Sequence, residues 1–237
     1  MWLHAVDLNE FYTSPVGRMA ARTIGRHVRG LWPDVSGMSV LGIGYPTPYL
    51  NAYRNEADRV IAAMPASQGV VHWPGEGPGL TMLSLESELP LPDLSVDRVL
   101  MVHAVECAES LRPMMREVWR VLSGSGKLIV VTPNRRGIWA RLDRTPFGFG
   151  RPYTPLQLSR LLRDTLFMPM ESNGALFAPP SRSRMILSSA NAWENIGSRW
   201  FSALGGVIVV EATKQIYSAT PVGEGVRRRQ LVTVTND

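Results

Sequence analysis

Apolar positions along the chain change their period several times, and each change marks an element. From Asp7 to about Leu31, past the FYTSPVGR turn, they recur at helical spacing and stop near Trp32-Pro33, which predicts a helix leading into the core. MSVLGIG is then a short apolar run halted by glycine and proline, the pattern of a buried first strand and a sharp turn. PYLNAYRNEADR reads as the next helix, with Pro48 tolerated in a first turn because no intrahelical N–H is lost there. RVIAAMP and LTMLSL read as the second and third strands. DRVLMVHAV is nearly continuous in hydrophobicity, as expected of a strand covered on both faces, and SLRPMMREVWRVL follows it with helical periodicity. That helix is expected to stop at GSGK, where KLIVVTP begins another buried strand.

Beyond Pro133 the pattern loosens. TPLQLSRLLRDTLF is an amphipathic helix with Thr154 as N-cap and Pro155 at the first helical position. Residues Ala178 to Gly206 mix prolines, arginines and a short helical pattern around NAWENIGSRWFSAL, and read as a decoration on the core. GGVIVVEATKQIY predicts a last strand, and RRRQLVTVTND a weakly ordered tail. Strands alternating with helices imply an α/β fold of Rossmann-like type, a mostly parallel sheet with helices on both faces and right-handed crossovers. At 237 residues one domain is expected: a helical segment over 1–37, a core over 38–134, a C-terminal half with helical decoration over 135–216, and a basic tail over 217–237.

Composition narrows the class. Hydrophobic residues at 45% against 19% charged exclude wholesale disorder. A single cysteine, Cys107, forms no internal disulfide, and no Cys/His cluster has metal-ligand spacing, so neither a disulfide framework nor a metal is expected and a reducing cytoplasm fits. The amino terminus lacks a basic n-region, and runs such as VLMVHAV and GGVIVV fall far short of the roughly 20 residues that span a bilayer, so no membrane partner is expected. The net charge of +5 sits partly in clusters: Arg135 with Arg136, Arg182 with Arg184, and Arg227 to Arg229. No aromatic interleaving accompanies them, which favours a solvated surface over a nucleic-acid contact.

The stretch LPLPDLSVDRVLMVHAVECAESLRPMMREVWRVLSGSGKLIVVTPN resembles the middle of a type 11 class I S-adenosylmethionine-dependent methyltransferase domain. The likeness is carried by Leu89 to Asp93, Asp97, His103 to Glu106, Arg120 to Leu122 and the Gly124 to Gly126 turn, and extends over about Ser39 to Asn134. The first motif departs from the family. In VLGIGYPTPYL, Gly42 stands where an acid is common, Gly44 matches a loop glycine, and Pro46 and Pro48 stand where glycines are usual. Prolines offer no N–H, which leaves Gly44, Tyr45 and Thr47 as donors. The second strand ends in Ala62, Ala63 and Met64 rather than in an acid able to accept from the ribose hydroxyls, a loss of about one to a few kcal/mol.

The resemblance implies S-adenosylmethionine as cofactor, held near Gly42, Ile43, Gly44, Tyr45, Ala63, Met64, Glu86 and His103, with Tyr12 and Glu106 toward the acceptor. It implies in-line methyl transfer to an unidentified acceptor chosen by the N-terminal segment and the decoration; no covalent nucleophile is needed, and no general base is identified. The competing class is a non-catalytic binding or scaffold protein on the same fold. Structural readings stand beside the functional ones: Tyr45 and Tyr12 as packing residues, His103 as a satisfied core histidine, Glu106 as a helix cap, and Glu86 as part of a solvated loop.

Overall fold

In the computed structural model, which describes residues 4–216, the apolar runs form β1 (Ser39–Gly44), β2 (Arg59–Pro65), β3 (Thr81–Ser84), β4 (Val96–Val102), β5 (Leu122–Pro133), β6 (Phe167–Ala175) and β7 (Val207–Lys214). They make one sheet in the order β3-β2-β1-β4-β5-β7-β6. Pairings from β3 through β5 are parallel, whereas β7 runs antiparallel to both β5 and β6. The principal helices are α1 (Ala5–Thr13), α2 (Pro15–Leu31), α3 (Thr47–Leu50), α4 (Leu111–Val121), α5 (Pro155–Asp164), α6 (Arg184–Ser188) and α7 (Ala190–Trp200).

Successive strand residues point to opposite faces, and the two faces bury separate apolar layers. Along β4, Leu100 and Val102 join a layer with Leu8, Ile24 and Trp32 from the N-terminal segment, while Val99 and Met101 join one with Met115, Val118 and Leu158 from α4 and α5. Both layers of this strand are fully closed to solvent, which accounts for its unbroken hydrophobic sequence.

Several expectations are revised. The helix expected from Asp7 to Leu31 breaks at Ser14, which is extended (φ −69, ψ 160) because a residue preceding proline avoids the helical region; its Oγ then accepts the Gly17 N–H at 3.0 Å and starts α2. The helix expected over 48–59 shrinks to α3 and one 3-10 turn, Asn51–Tyr53. Tyr49, Leu50 and Tyr53 are buried, but the polar run RNEADR offers only the small, partly buried Ala57 to extend that face. The glycines of GSGK do not stop a helix: α4 ends at Val121, Leu122 is already extended, and the turn lies inside β5, opposite an irregularity in the β4 pairing. Strand β6 was not foreseen. It is an edge strand whose FMPMESNGA lacks alternation, and Pro169 is admitted where the register shifts. The helix expected over 154–167 ends at Asp164, with Thr154 and Gln157 forming a reciprocal capping box. The tail over 217–237 lies outside the described residues.

The motif pieces LPLPD and RVL meet in space. Arg120 donates to the carbonyls of Leu89 and Leu91 and to the carboxylates of Asp93 and Glu117, while Glu117 also accepts the Leu89 N–H. One guanidinium therefore ties the loop before β4 to the helix after it. Arg120→Met is expected to lower unfolding free energy by about 2–3 kcal/mol, since charge-assisted bonds to two loop carbonyls and two carboxylates are lost together; the midpoint of urea denaturation measures it.

Candidate functional site

In this topology the chain runs outward from β1 to β3 and then returns to β4 beside β1, which creates a switch point at the carboxyl ends of those two strands. The strands approach closely there because Gly44 has no side chain: a Cβ on it would lie 2.2 Å from the Val102 carbonyl oxygen, and its φ of +87 is one that L side chains rarely adopt. The same carbonyl accepts the Tyr45 N–H at 2.7 Å. Gly42, one pleat earlier, lies under the ring of Pro46, which would stand 2.3 Å from a Cβ.

The chain leaves β4 through His103, whose φ of +52 turns its ring into the space above the switch point. Four segments converge on that ring. The Tyr12 hydroxyl, from α1, is 2.8 Å from His103 Nε2 and 2.9 Å from the Tyr49 hydroxyl. Gln68, in the loop after β2, donates from Nε2 to the His103 carbonyl at 2.6 Å, and its own carbonyl accepts the Ala5 N–H. Phe147 packs on the imidazole with centroids 4.9 Å apart. Glu106 Oε1 lies 3.2 Å from His103 Nδ1, off hydrogen-bond alignment, so Nδ1, both Glu106 oxygens and Gln68 Oε1 remain buried without a partner.

Tyr45 stacks on Tyr12 with the rings 12° from parallel and donates its hydroxyl to Asn9 at 3.1 Å. Burial raises the hydroxyls of Tyr12 and Tyr45 above the ordinary tyrosine range, most strongly at Tyr12, where the neighbouring Tyr49 and Glu106 add to the effect. Tyr12 is thus a neutral donor. When it donates to Nε2, Nδ1 carries the ring proton and faces Glu106 Oε1 at 3.2 Å without a hydrogen bond between them, so Tyr12 and His103 are bonded while His103 and Glu106 only adjoin.

The structure thus brings Gly42, Gly44, Tyr45, His103, Tyr12 and Glu106 together. Ile43 pairs in register with Ala63 and Met101 inside the sheet. Ala63 and Met64 end β2 fully buried, and the Met64 sulfur accepts the Val71 N–H at 3.5 Å. Glu86 stands elsewhere: Oε2 accepts the N–H groups of Glu109 and Ser110, both at 3.0 Å, and so caps the start of α4. Gln68, Tyr49 and Phe147 were not singled out from sequence. They sit in short segments, α3, the loop after β2 and a 3-10 turn over Pro146–Gly148, whose convergence has no periodic signature; the only hint was the clustering of tyrosines in YPTPYLNAY.

The strand order, single reversed strand β7 and switch-point cluster define a Rossmann-like fold of the class I methyltransferase type. Residues 41–130 match the model of the family described as "Methyltransferase domain". Two kinds of relatives agree. A probable S-adenosylmethionine-dependent methyltransferase of Mycobacterium tuberculosis (strain ATCC 25618 / H37Rv) is 34% identical over 129 residues, 53% of this chain and 47% of that protein. The chain thus aligns with about half the length of that curated relative. Among solved structures, an S-adenosylmethionine-dependent methyltransferase of Thermotoga maritima superposes with TM-score 0.60 at 19% identity, over 87% of this chain and 94% of that one. One from Mesorhizobium loti gives TM-score 0.57 at 15% identity, over 80% and 96%. These likenesses speak to the fold.

Two outcomes test the cluster. Tyr12→Phe leaves His103 Nε2 and the Tyr49 hydroxyl buried without their shared partner, and is expected to cost about 1–3 kcal/mol by urea denaturation. The folded protein keeps Tyr12 protonated where an unfolded chain releases the proton near pH 10. Stability from this group is therefore complete below about pH 10 and falls as pH rises beyond it, and the decline in melting temperature is expected to be shallower in Tyr12→Phe.

Proposed function

We propose that this domain transfers a methyl group from S-adenosylmethionine to an acceptor bound near the buried Tyr12–His103–Glu106 cluster. The observation that carries the reading is the family match over 41–130, which spans the strands that make the switch point. The protein's tasks in such a transfer are to align the reactants and exclude water, and a proton released by the acceptor would have His103 and Glu106 as its nearest takers.

As packed here, the residues at the switch point do not fit that cofactor. Pro46 covers Gly42, Tyr45 has given its N–H to the Val102 carbonyl, and Pro46 and Pro48 have none to give. Met64 stands buried where a ribose-binding carboxylate would serve. Tyr12 and Tyr45 fill the space above. S-adenosylmethionine at this place requires α1 and the Tyr45–Pro46 turn to give way. The same features favour a second reading, a binding or scaffold protein on a methyltransferase fold.

Titration calorimetry and thermal shift of the full chain with S-adenosylmethionine and S-adenosylhomocysteine separate the two. The first reading expects saturable binding and a melting temperature that rises with ligand concentration. Pro46→Gly, which restores an amide and uncovers Gly42, is expected to tighten binding severalfold. No binding at millimolar ligand, by either protein, would sink the methyltransferase reading and leave the second.

A further inference from the structure

The excursion between β6 and β7 carries α6 and α7 and has an outward face that nothing among the described residues covers. On α7 the inward side is Ala190, Glu194 and Gly197. Its seat is close: a Cβ on Gly197 would stand 2.1 Å from the Phe177 ring, and Glu194 Oε1 accepts the Phe177 N–H at 2.7 Å. That pins the helix rotation. Trp193, Ile196 and Trp200, spaced i, i+3 and i+7, then form one exposed stripe at 44%, 55% and 72% of full exposure. Phe201 and Leu204 continue it at 56% and 51%, and Met185 of α6 stands at 77%. A monomer seldom leaves so many large apolar side chains exposed within twenty residues of chain without a use for them.

Within the excursion itself the exposed charge has one sign, while Glu171 of β6 lines a separate cleft with Asn195 and Ser198 of α7. Between residues 176 and 206 the only carboxylate is Glu194, which is buried, whereas Arg182, Arg184 and Arg199 are all exposed. Arg199 lies on the outward pole of α7 with its guanidinium 5.9 Å from the Trp200 ring centroid. Past that pole, on the opposite flank of α7, Arg18, Arg22 and Arg26 of α2 line a cleft of about 540 Å³ together with Leu187, Ser188 and Asn191. Among the described residues these three arginines form no ion pair. Outward aromatic and aliphatic side chains, in an excursion whose exposed charges are arginines with Arg199 against Trp200, match the two layers of a bilayer surface: acyl chains below and anionic phosphates above.

We propose that the α6–α7 face docks on the surface of an anionic phospholipid bilayer, with Trp193, Ile196, Trp200, Phe201 and Leu204 entering the headgroup boundary and Arg182, Arg184 and Arg199 meeting the phosphates. This is surface association only, since among the described residues no helix is long and apolar enough to cross a membrane. The sequence-based expectation of no membrane partner considered spanning runs, and an interfacial stripe of three residues on an 11-residue helix gives no such run. The proposal is independent of methyl transfer.

The test is co-sedimentation of the full chain with vesicles of phosphatidylcholine alone and of phosphatidylcholine mixed with phosphatidylglycerol. The wild type is expected to pellet with the mixed vesicles, weakly or not at all with phosphatidylcholine alone, and less as salt rises. The double change Trp193→Ser and Trp200→Ser is expected to weaken partitioning at least about tenfold, and Arg182→Glu with Arg199→Glu to remove the preference for phosphatidylglycerol. Both variants change exposed side chains and should melt with the wild type in circular dichroism. A wild type that stays in the supernatant overturns the proposal, as does a tryptophan variant that pellets equally well. A wild-type dimer in analytical ultracentrifugation that the tryptophan changes convert to monomer would also overturn it, by assigning the face to a second copy.

Discussion

The contact on which the rest depends is the approach of Gly44 to the Val102 carbonyl at the ends of β1 and β4. No side chain fits between them, so the two strands run side by side to their last residues, and the Tyr45 N–H closes the turn on the same oxygen. Because β4 ends flush with β1, the next residue, His103, must turn in the left-handed region and aim its ring over the switch point. Tyr12 and Phe147 take their places against that ring, Tyr49 joins through the Tyr12 hydroxyl, and Gln68 holds the His103 backbone carbonyl. A local steric requirement at one glycine thereby positions groups that are distant along the chain.

The parts that make the chain look like a methyltransferase and the parts that would perform the reaction are different residues. Arg120 and its ties to the LPLPD loop explain why those motif pieces occur together: they hold the approach to β4 against α4. They serve the architecture. The turn after β1 and the end of β2 serve binding, and there Pro46 and Met64 close space and remove donors or acceptors that open cradles of this kind supply. The buried atoms left without partners, at His103, Glu106 and Gln68, lie at this same point, so polar capacity is concentrated where the packing is otherwise apolar and aromatic.

The excursion between β6 and β7 obeys a different logic from the core. Inside, the central strands β1, β4 and β7 are covered almost throughout; on α7 the seat is a single glycine against Phe177 and a buried carboxylate, and most of the helix circumference faces outward. Such an attachment holds orientation with little buried area, as suits an element whose exposed side is the one in use.

The α/β class with a mostly parallel sheet, strands β1, β4 and β5, and helices α2, α4 and α5 were legible in the sequence because each buries a continuous or periodic apolar face that local residues determine. DRVLMVHAV is the plainest case, as both its faces are covered. The break at Ser14-Pro15 had a local cause that the periodicity across it concealed, and β6 was missed because an edge strand with one exposed face and a proline at a register shift carries little pattern. Gly42, Gly44, Tyr45, His103, Tyr12 and Glu106 were recognised individually as candidates, but not that they touch. Only the tertiary structure decided that Pro46 covers Gly42, that Tyr12 reaches His103 across 91 positions, and that Glu86 caps α4 instead. Periodicity records which face of an element is buried; the meeting of side chains from α1, α3 and the segments after β2, β4 and β5 depends on strand register and chain path, which no local pattern of polarity encodes.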